Sequence, residues 1–311
     1  MNTTPDKLYK KPKDLSPEEL LAPGSPVCAG CGGLESLRLA QKVLGENVLY
    51  VNGAGCFTLL SVFPYTPTRG SWLYTTMSAP TGASQGVRDA LDIRMRKYGL
   101  PASEDLQIVV VAGDGSTCDM GLSPTSAAIQ RRLDFIYFCY DNGGYGNTGF
   151  QWSASTPYGS ATQTAPSTGL HPSGSELIPK DLFEIWRAHN PAYLATVSPR
   201  EPLDLSAKFE KAKKMKGPRM FISMAPCPTG WGFDPKNTHV VAKLAVETGI
   251  FPIKEMLDGK VIHTRSPKKR LPVEKFLETQ KRFAHLFTPE RRDDIIAVIQ
   301  KNVDNYWEKY E

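Results

Sequence analysis

Two apolar runs, "QIVVVAGDG" at 107–115 and "DFIYFCYDN" at 134–142, constrain this chain more than any other feature. Each is β-branched or aromatic, lacks the spacing of an amphipathic helix, and ends in glycine or Asp-Asn turn residues. A strand that is apolar on both faces must be covered on both faces, as happens in a parallel sheet sandwiched by helices. Further strands read at "NVLYVNGAGC", "AYLATVS" and "RMFISMAPC", and helices at "TGASQGVRDALDIRMRKYG", "PTSAAIQRRL", "DLFEIWRAHN" and "DLSAKFEKAKKMKG". Leu34, Leu37, Ala40, Val43 and Leu44 also recur at helical spacing, with Gly45 as a C-terminal stop. This alternation predicts an α/β fold: a mostly parallel sheet with helices on both faces. Ligands of such sheets sit at the carboxyl ends of the strands.

Three segments follow. Residues 1–24 are rich in Lys, Pro and Glu and read as an N-terminal arm; 25–235 carry the alternation and form the binding domain. Residues 236–311 read as an extension, with helical patterns at "VEKFLETQKRFAHL" and "PERRDDIIAVIQKNVDNYWEKY", packed on the core or on a partner subunit. Within the main domain, 143–180 is dense in Gly, Ser, Thr and Pro; a stretch that long without its own elements is usually functional. No apolar run approaches the roughly 18 residues of a membrane span, and the N-terminus lacks a signal-peptide core, so the expectation is a cytoplasmic protein with no membrane role. The excess of 37 basic over 32 acidic residues is small and no recognition motif accompanies it, so no nucleic-acid partner is expected.

The turns after the two apolar strands should emerge at one sheet edge. The first places Asp114 between glycines; the second offers Asp141, Asn142, Asn147 and Thr148. A carboxylate, neutral oxygens and exposed amides are what Mg²⁺ and a diphosphate require. The cysteines, at 28, 31, 56, 118, 139 and 227, are too few and scattered for a disulfide scaffold in 311 residues. Cys28-x-x-Cys31 alone leaves zinc, a redox disulfide and an iron–sulfur site open. It precedes the first predicted strand, which disfavours a thioredoxin motif, and a structural zinc lacks ligands close in sequence apart from Cys56. Cys56 and Cys227 each end a predicted strand, so four thiolates at one edge fit a [4Fe–4S] cluster. Cys139 reads as a core residue and Cys118 as packing or support to the diphosphate turn. The five histidines form no ligand-spaced set.

Gly113-Asp114-Gly115 followed after 26 residues by Asn142 resembles the thiamine-diphosphate signature. In that family the Asp, the Asn and a carbonyl two residues further on hold the Mg²⁺ of the cofactor, here Asp114, Asn142 and Gly144. Taken with C-x2-C, a third Cys after 24 intervening residues, "YGNTG", "TPYG" and "APCPTGW", the order resembles the β subunit of 2-oxoacid:ferredoxin oxidoreductases. The resemblance covers about residues 24 to 290. It implies a thiamine-diphosphate-binding fold of the pyrophosphate type, and that Cys28, Cys31, Cys56 and Cys227 ligate one [4Fe–4S] cluster near thiamine diphosphate. The implied cofactor-binding set is Gly113, Asp114, Gly115, Ser116, Asn142, Gly144, Asn147, Thr148 and Cys56, with Asn147 as the candidate catalytic group. The Glu that activates the cofactor is expected on a pyrimidine-binding subunit, with a ferredoxin-like cluster subunit and ferredoxin itself as further partners.

For the substrate, the loop "TTMSAPTGAS" lacks an acid that pyruvate-type relatives tend to carry, "DNGGYGNTG" is small and exposes backbone, and Trp152 stands where they tend to have a smaller or basic residue. Fewer acids favour a dianion, so the expected substrate is oxalate, oxidised to two CO₂ without coenzyme A; pyruvate or another 2-oxoacid with coenzyme A is the alternative. A non-redox thiamine enzyme subunit with structural zinc is the reading from a different class.

Overall fold

The structure, a computed structural model, describes residues 9–64, 66–99, 101, 105–169 and 171–310; the first eight residues of the expected arm lie outside it. Eight strands form one sheet: β1 Val48–Gly53, β2 Ser71–Thr75, β3 Gln107–Gly113, β4 Phe135–Asp141, β5 Tyr193–Val197, β6 Pro218–Met224, β7 Ile253–Leu257 and β8 Lys260–Arg265. Their order is β2-β1-β3-β4-β6-β5-β7-β8. β1 to β6 run parallel, and β7 and β8 extend one edge antiparallel. The predicted mostly parallel α/β sheet is what is found.

Burial follows position in the sheet. Central β4, β5 and β6 are buried on nearly every residue, whereas edge strands β2 and β8 keep exposed positions throughout. That is why the central strands are legible as continuous apolar runs, and why β2 and the β7–β8 hairpin are missed by the same reading.

Helices α1 Gly32–Leu44, α2 Pro80–Tyr98, α3 Leu122–Gln130, α4 Leu182–Arg187 and α5 Pro202–Lys214 cover the two faces. Val109, Val111, Ile136, Phe138 and Phe221 point to the face under α1 and α5, where Phe209 stacks on Phe221 at 4.0 Å between ring centroids. Ile108, Val110, Phe135 and Tyr137 point to the opposite face, under α2, α3 and α4. Each fully buried side chain of this kind contributes roughly 1.5–3 kcal/mol.

The remaining helices are α6 Pro228–Trp231, α7 Thr238–Glu247, α8 Glu274–Leu277 and α9 Asp293–Trp307. They build a third apolar cluster around Trp231, Phe276, Phe283, Leu286 and Ile295, which reaches back through Phe150 and Met224. The continuous helical pattern read at 273–286 is instead the short α8 followed by a 3₁₀ turn, Lys281–Leu286. α7 was not anticipated. Among the described residues, 143–169 and 171–180 carry no helix or ladder strand, only isolated bridges such as Tyr145 with Gln151. Among the described residues no helix is long and apolar enough to cross a membrane.

Candidate cofactor site

β3 and β4 are parallel neighbours in register, Gly113 beside Tyr140, so the chain leaves both at one edge of the sheet. After β3 a wide π-helical turn, Gly115–Met120, precedes α3. The two turns interlock through Tyr145. A Cβ on Gly115 would lie 2.4 Å from the Tyr145 ring, so only glycine admits that ring, and the Tyr145 hydroxyl donates to Asp119 Oδ2 at 2.9 Å. Thr117 donates to the Gly113 carbonyl at 2.8 Å, and the Ser116 hydroxyl donates to the Met77 carbonyl.

Asp114 is fully buried between these turns. Its Oδ1 accepts the Asn142 N–H at 3.4 Å and its Oδ2 accepts the Ser153 hydroxyl. Burial, and then the charge of Asp141, push its carboxyl above the usual carboxylate range. The Asn142 main-chain carbonyl accepts the Trp231 indole N–H at 2.6 Å, while its side-chain Oδ1 is buried with no hydrogen-bond partner. Leaving such an oxygen unmatched costs about 1–3 kcal/mol. A carboxylate held up by burial beside an orphaned amide oxygen is a donor set short of a hard cation, and it fits Mg²⁺.

Asp141, at the end of β4, accepts the Ser155 hydroxyl on both oxygens at 2.7 Å and the Gly143 N–H on Oδ1 at 3.0 Å. Burial raises its carboxyl; those bonds and the charge of Arg282 act the other way. Asn147 and Thr148 are exposed at the tip of the turn closed by Tyr145 and Gln151, where the Thr148 hydroxyl donates to Gln151 Oε1. They stand outside the buried group formed by Asp114, Asn142 and Ser153.

The thiols gather beside this group. Cys31 caps α1, its Sγ accepting the Leu34 N–H at 3.4 Å; Cys227 caps α6, its Sγ accepting the Gly230 N–H at 3.2 Å. Cys56 opens the 3₁₀ turn Cys56–Leu60, and Cys28 is exposed. α1 can begin against the end of β6 only because Gly32 lacks a side chain: a Cβ there would meet Pro226 Cδ at 2.5 Å. Burial, then the charges of Cys227, Cys31 and Cys28, push the Cys56 thiol up to about 12. The Cys31 thiol is likewise raised to about 11, chiefly by burial and with smaller contributions from Cys227 and Cys28. Each of the four therefore lies within electrostatic reach of the others.

The link to the first group is short, since a Cβ on Gly146 would meet both Asn142 Nδ2 at 2.7 Å and Cys56 Sγ at 3.2 Å. Cys56 and Cys227 sit three residues beyond β1 and β6 rather than ending them, because each strand gives way to a short turn first. Cys118 and Cys139 are buried in the apolar cluster under α2 and α3. All six cysteines are free. Among the described residues, no three or more His, Cys, Asp or Glu side chains converge tightly enough for one metal ion.

Sequence reading missed Ser153, Trp231 and Arg282. Ser153 lies in a Ser- and Thr-rich stretch with no distinguishing pattern, and Trp231 closes the "APCPTGW" motif but carries no sign there that its indole N–H holds the Asn142 carbonyl. Arg282 lies in what reads as an ordinary helix, and its nearness to Gly143 exists only after the C-terminal segment folds back.

A parallel sheet with an acidic Gly-Asp-Gly turn and an orphaned amide oxygen at its carboxyl edge defines the cofactor-binding domain of thiamine-diphosphate enzymes. Residues 53–223 match the family described as thiamine pyrophosphate enzyme, C-terminal TPP binding domain. Over 93% of its length the chain is 42% identical to "Pyruvate synthase subunit PorB" of Methanothermobacter thermautotrophicus, covering 96% of that protein. It is 36% identical over 94% of its length to "Ketoisovalerate oxidoreductase subunit VorB" of Pyrococcus abyssi, covering 92% of it. The fold also matches that of 2-oxoglutarate:ferredoxin oxidoreductase from Magnetococcus marinus, with a TM-score of 0.55 at 18% identity, covering 95% of this chain and 99% of that one. The chain belongs to the family of β subunits of thiamine-diphosphate-dependent 2-oxoacid:ferredoxin oxidoreductases.

Proposed function

We propose that this subunit takes part in coenzyme A-linked oxidative decarboxylation of pyruvate, passing electrons one at a time through a [4Fe–4S] cluster to ferredoxin. The observation that carries the substrate is the 42% identity to a pyruvate synthase subunit over nearly the whole chain. This favours pyruvate over the oxalate expected from the sequence. That expectation rested on a missing acid in "TTMSAPTGAS" and on the small residues of "DNGGYGNTG", whereas the folded edge holds Asp114, Asp119 and Asp141 close to the turns.

In this reading Asp114, the Asn142 side-chain oxygen and the Gly144 carbonyl would hold Mg²⁺, and Gly113, Gly115 and Ser116 would bind the diphosphate. Bound thiamine diphosphate supplies a carbon nucleophile and an electron sink for the 2-oxo carbon. Trp231 holds the Asn142 main-chain carbonyl and Tyr145 ties the two turns together, so the backbone that carries these ligands is held in place. Cys28, Cys31, Cys56 and Cys227 would hold the cluster, and Gly146, by lacking a side chain, lets Cys56 lie close to Asn142. Asn147 and Thr148, exposed on the turn, face the substrate side. The protein works in the cytoplasm with a pyrimidine-binding subunit and a ferredoxin-like cluster subunit.

The test supplies the assembled complex with pyruvate, 2-oxoisovalerate and oxalate and follows reduction of a low-potential acceptor. Pyruvate with coenzyme A gives the highest kcat/KM; faster reduction with oxalate would make oxalate the substrate. A second expectation concerns the chain alone. The group that protonates the cofactor's aminopyrimidine is assigned to the partner, so the purified single chain shows no turnover until that partner is added. Turnover by the single chain would contradict the division of labour.

A further inference from the structure

Arg282 is the charged group whose position the proposed function does not yet use. It is 5% exposed, and its Nη1 is buried with no hydrogen-bond partner. Its Nε donates to Gln280 Oε1 at 2.9 Å, and its guanidinium lies 3.9 Å from the centroid of the Trp231 ring. Nη1 fills the place where Gly143 would carry a side chain, 3.2 Å from that Cβ position. Among the described residues, no carboxylate comes within ion-pair distance of it. Burial pushes the guanidinium down to about 9, and Cys227, Asp141 and Asp114 act the other way, in that order.

Keeping a cation buried without an anionic partner is costly, and such groups persist where a bound anion completes them. The anions that the proposed function brings to this edge are the diphosphate and the thiolate-held cluster. Arg282 stands behind the Asn142–Gly144 turn and within electrostatic reach of Cys227. It also stacks on the residue whose indole N–H holds the Asn142 carbonyl.

We propose that Arg282 is a positioning residue of the cofactor site. Its charge offsets the negative charge of the diphosphate and the cluster, and its stack holds Trp231 on the magnesium-side turn. The inference rests on the functional reading above and extends it to the C-terminal segment. Loss of a nearby positive charge disfavours the more negative, reduced cluster and so lowers its potential.

The experiment uses the assembled complex with R282Q and R282K. Two quantities are read besides turnover: the affinity of apo complex for magnesium thiamine diphosphate, and the midpoint potential of the β-subunit cluster by redox titration followed by electron paramagnetic resonance. R282Q weakens cofactor binding about tenfold and shifts the cluster equilibrium about tenfold toward the oxidised form, ~59 mV for one electron. R282K, which keeps the charge and loses the planar stack, recovers most of the potential and only part of the affinity. The inference is overturned if R282Q leaves both quantities within twofold of wild type, or if both variants lose affinity alike with no change in potential, the mark of a structural role only. Wild-type complex that binds no thiamine diphosphate and holds no β-subunit cluster overturns the functional reading, and this inference with it.

Discussion

Asp114→Asn in the assembled complex is expected to weaken binding of magnesium thiamine diphosphate by on the order of 100-fold or more, with loss of turnover. The substitution keeps the shape and removes the charge that the metal requires. Because Asp114 is fully buried and its carboxyl is raised by that burial, the charge is a burden on the fold when no cation is present. The sign follows from linkage. A carboxyl whose pKa is higher folded than unfolded costs stability as pH rises from the ordinary carboxylate range through its folded value. The cofactor-free Asn variant should therefore melt no lower than wild type near neutral pH, and the wild type should lose stability relative to it as pH rises. Calorimetric titration with the cofactor and thermal melts of the cofactor-free protein over a pH series check both halves. Retained affinity would remove Asp114 from the metal site, and a large drop in melting temperature would make its role structural.

Cys227→Ser is expected to lower the iron and acid-labile sulfide of the complex by one cluster's worth and to bring ferredoxin reduction to background. Thiamine diphosphate binding should stay within about threefold, since the metal and cluster groups are separate ligand sets. Cys227 is the strongest test because it caps α6 at the end of β6, far in sequence from the Cys28–Cys31 pair, and still lies within electrostatic reach of Cys28 and Cys56. Serine preserves the cap to the Gly230 N–H, so a folding defect is not expected. Cys118→Ala serves as the control. That thiol is buried in the apolar cluster under α2 and α3, and its loss should leave the iron content unchanged. Iron and sulfide analysis of anaerobically purified protein reads the result; unchanged content in the Ser variant would exclude Cys227 as a ligand.

How much of the site was legible depended on whether a residue's role is set by its neighbours in sequence. The Gly113-Asp114-Gly115 turn and Asn142 were readable because strand, turn and helix follow each other directly, and a glycine-flanked acid after a buried strand has few other uses. Cys28 and Cys31 were visible as a pair but ambiguous in chemistry. Cys56 and Cys227 joined them through the expectation that strand ends meet at one sheet edge, and the resemblance then gave the four a common role. The extension was the least legible. Its strand β8 lies at the sheet edge, where exposed positions break the apolar run, β7 is buried but short and interrupted by Lys254 and Glu255, and its helical pattern at 273–286 splits into two short pieces.

By itself, then, the sequence determined the parallel α/β architecture and the diphosphate turn, because apolar runs on central strands and glycine at tight turns are local requirements of backbone and solvent. Only the tertiary structure decided that Asn142 keeps an unpartnered oxygen, that Gly146 brings Cys56 against it, and that Arg282 returns from the chain's last part to stand behind Gly143. Those relations depend on contacts between residues far apart in the chain, and close packing at one sheet edge, which no local pattern encodes, is what creates them.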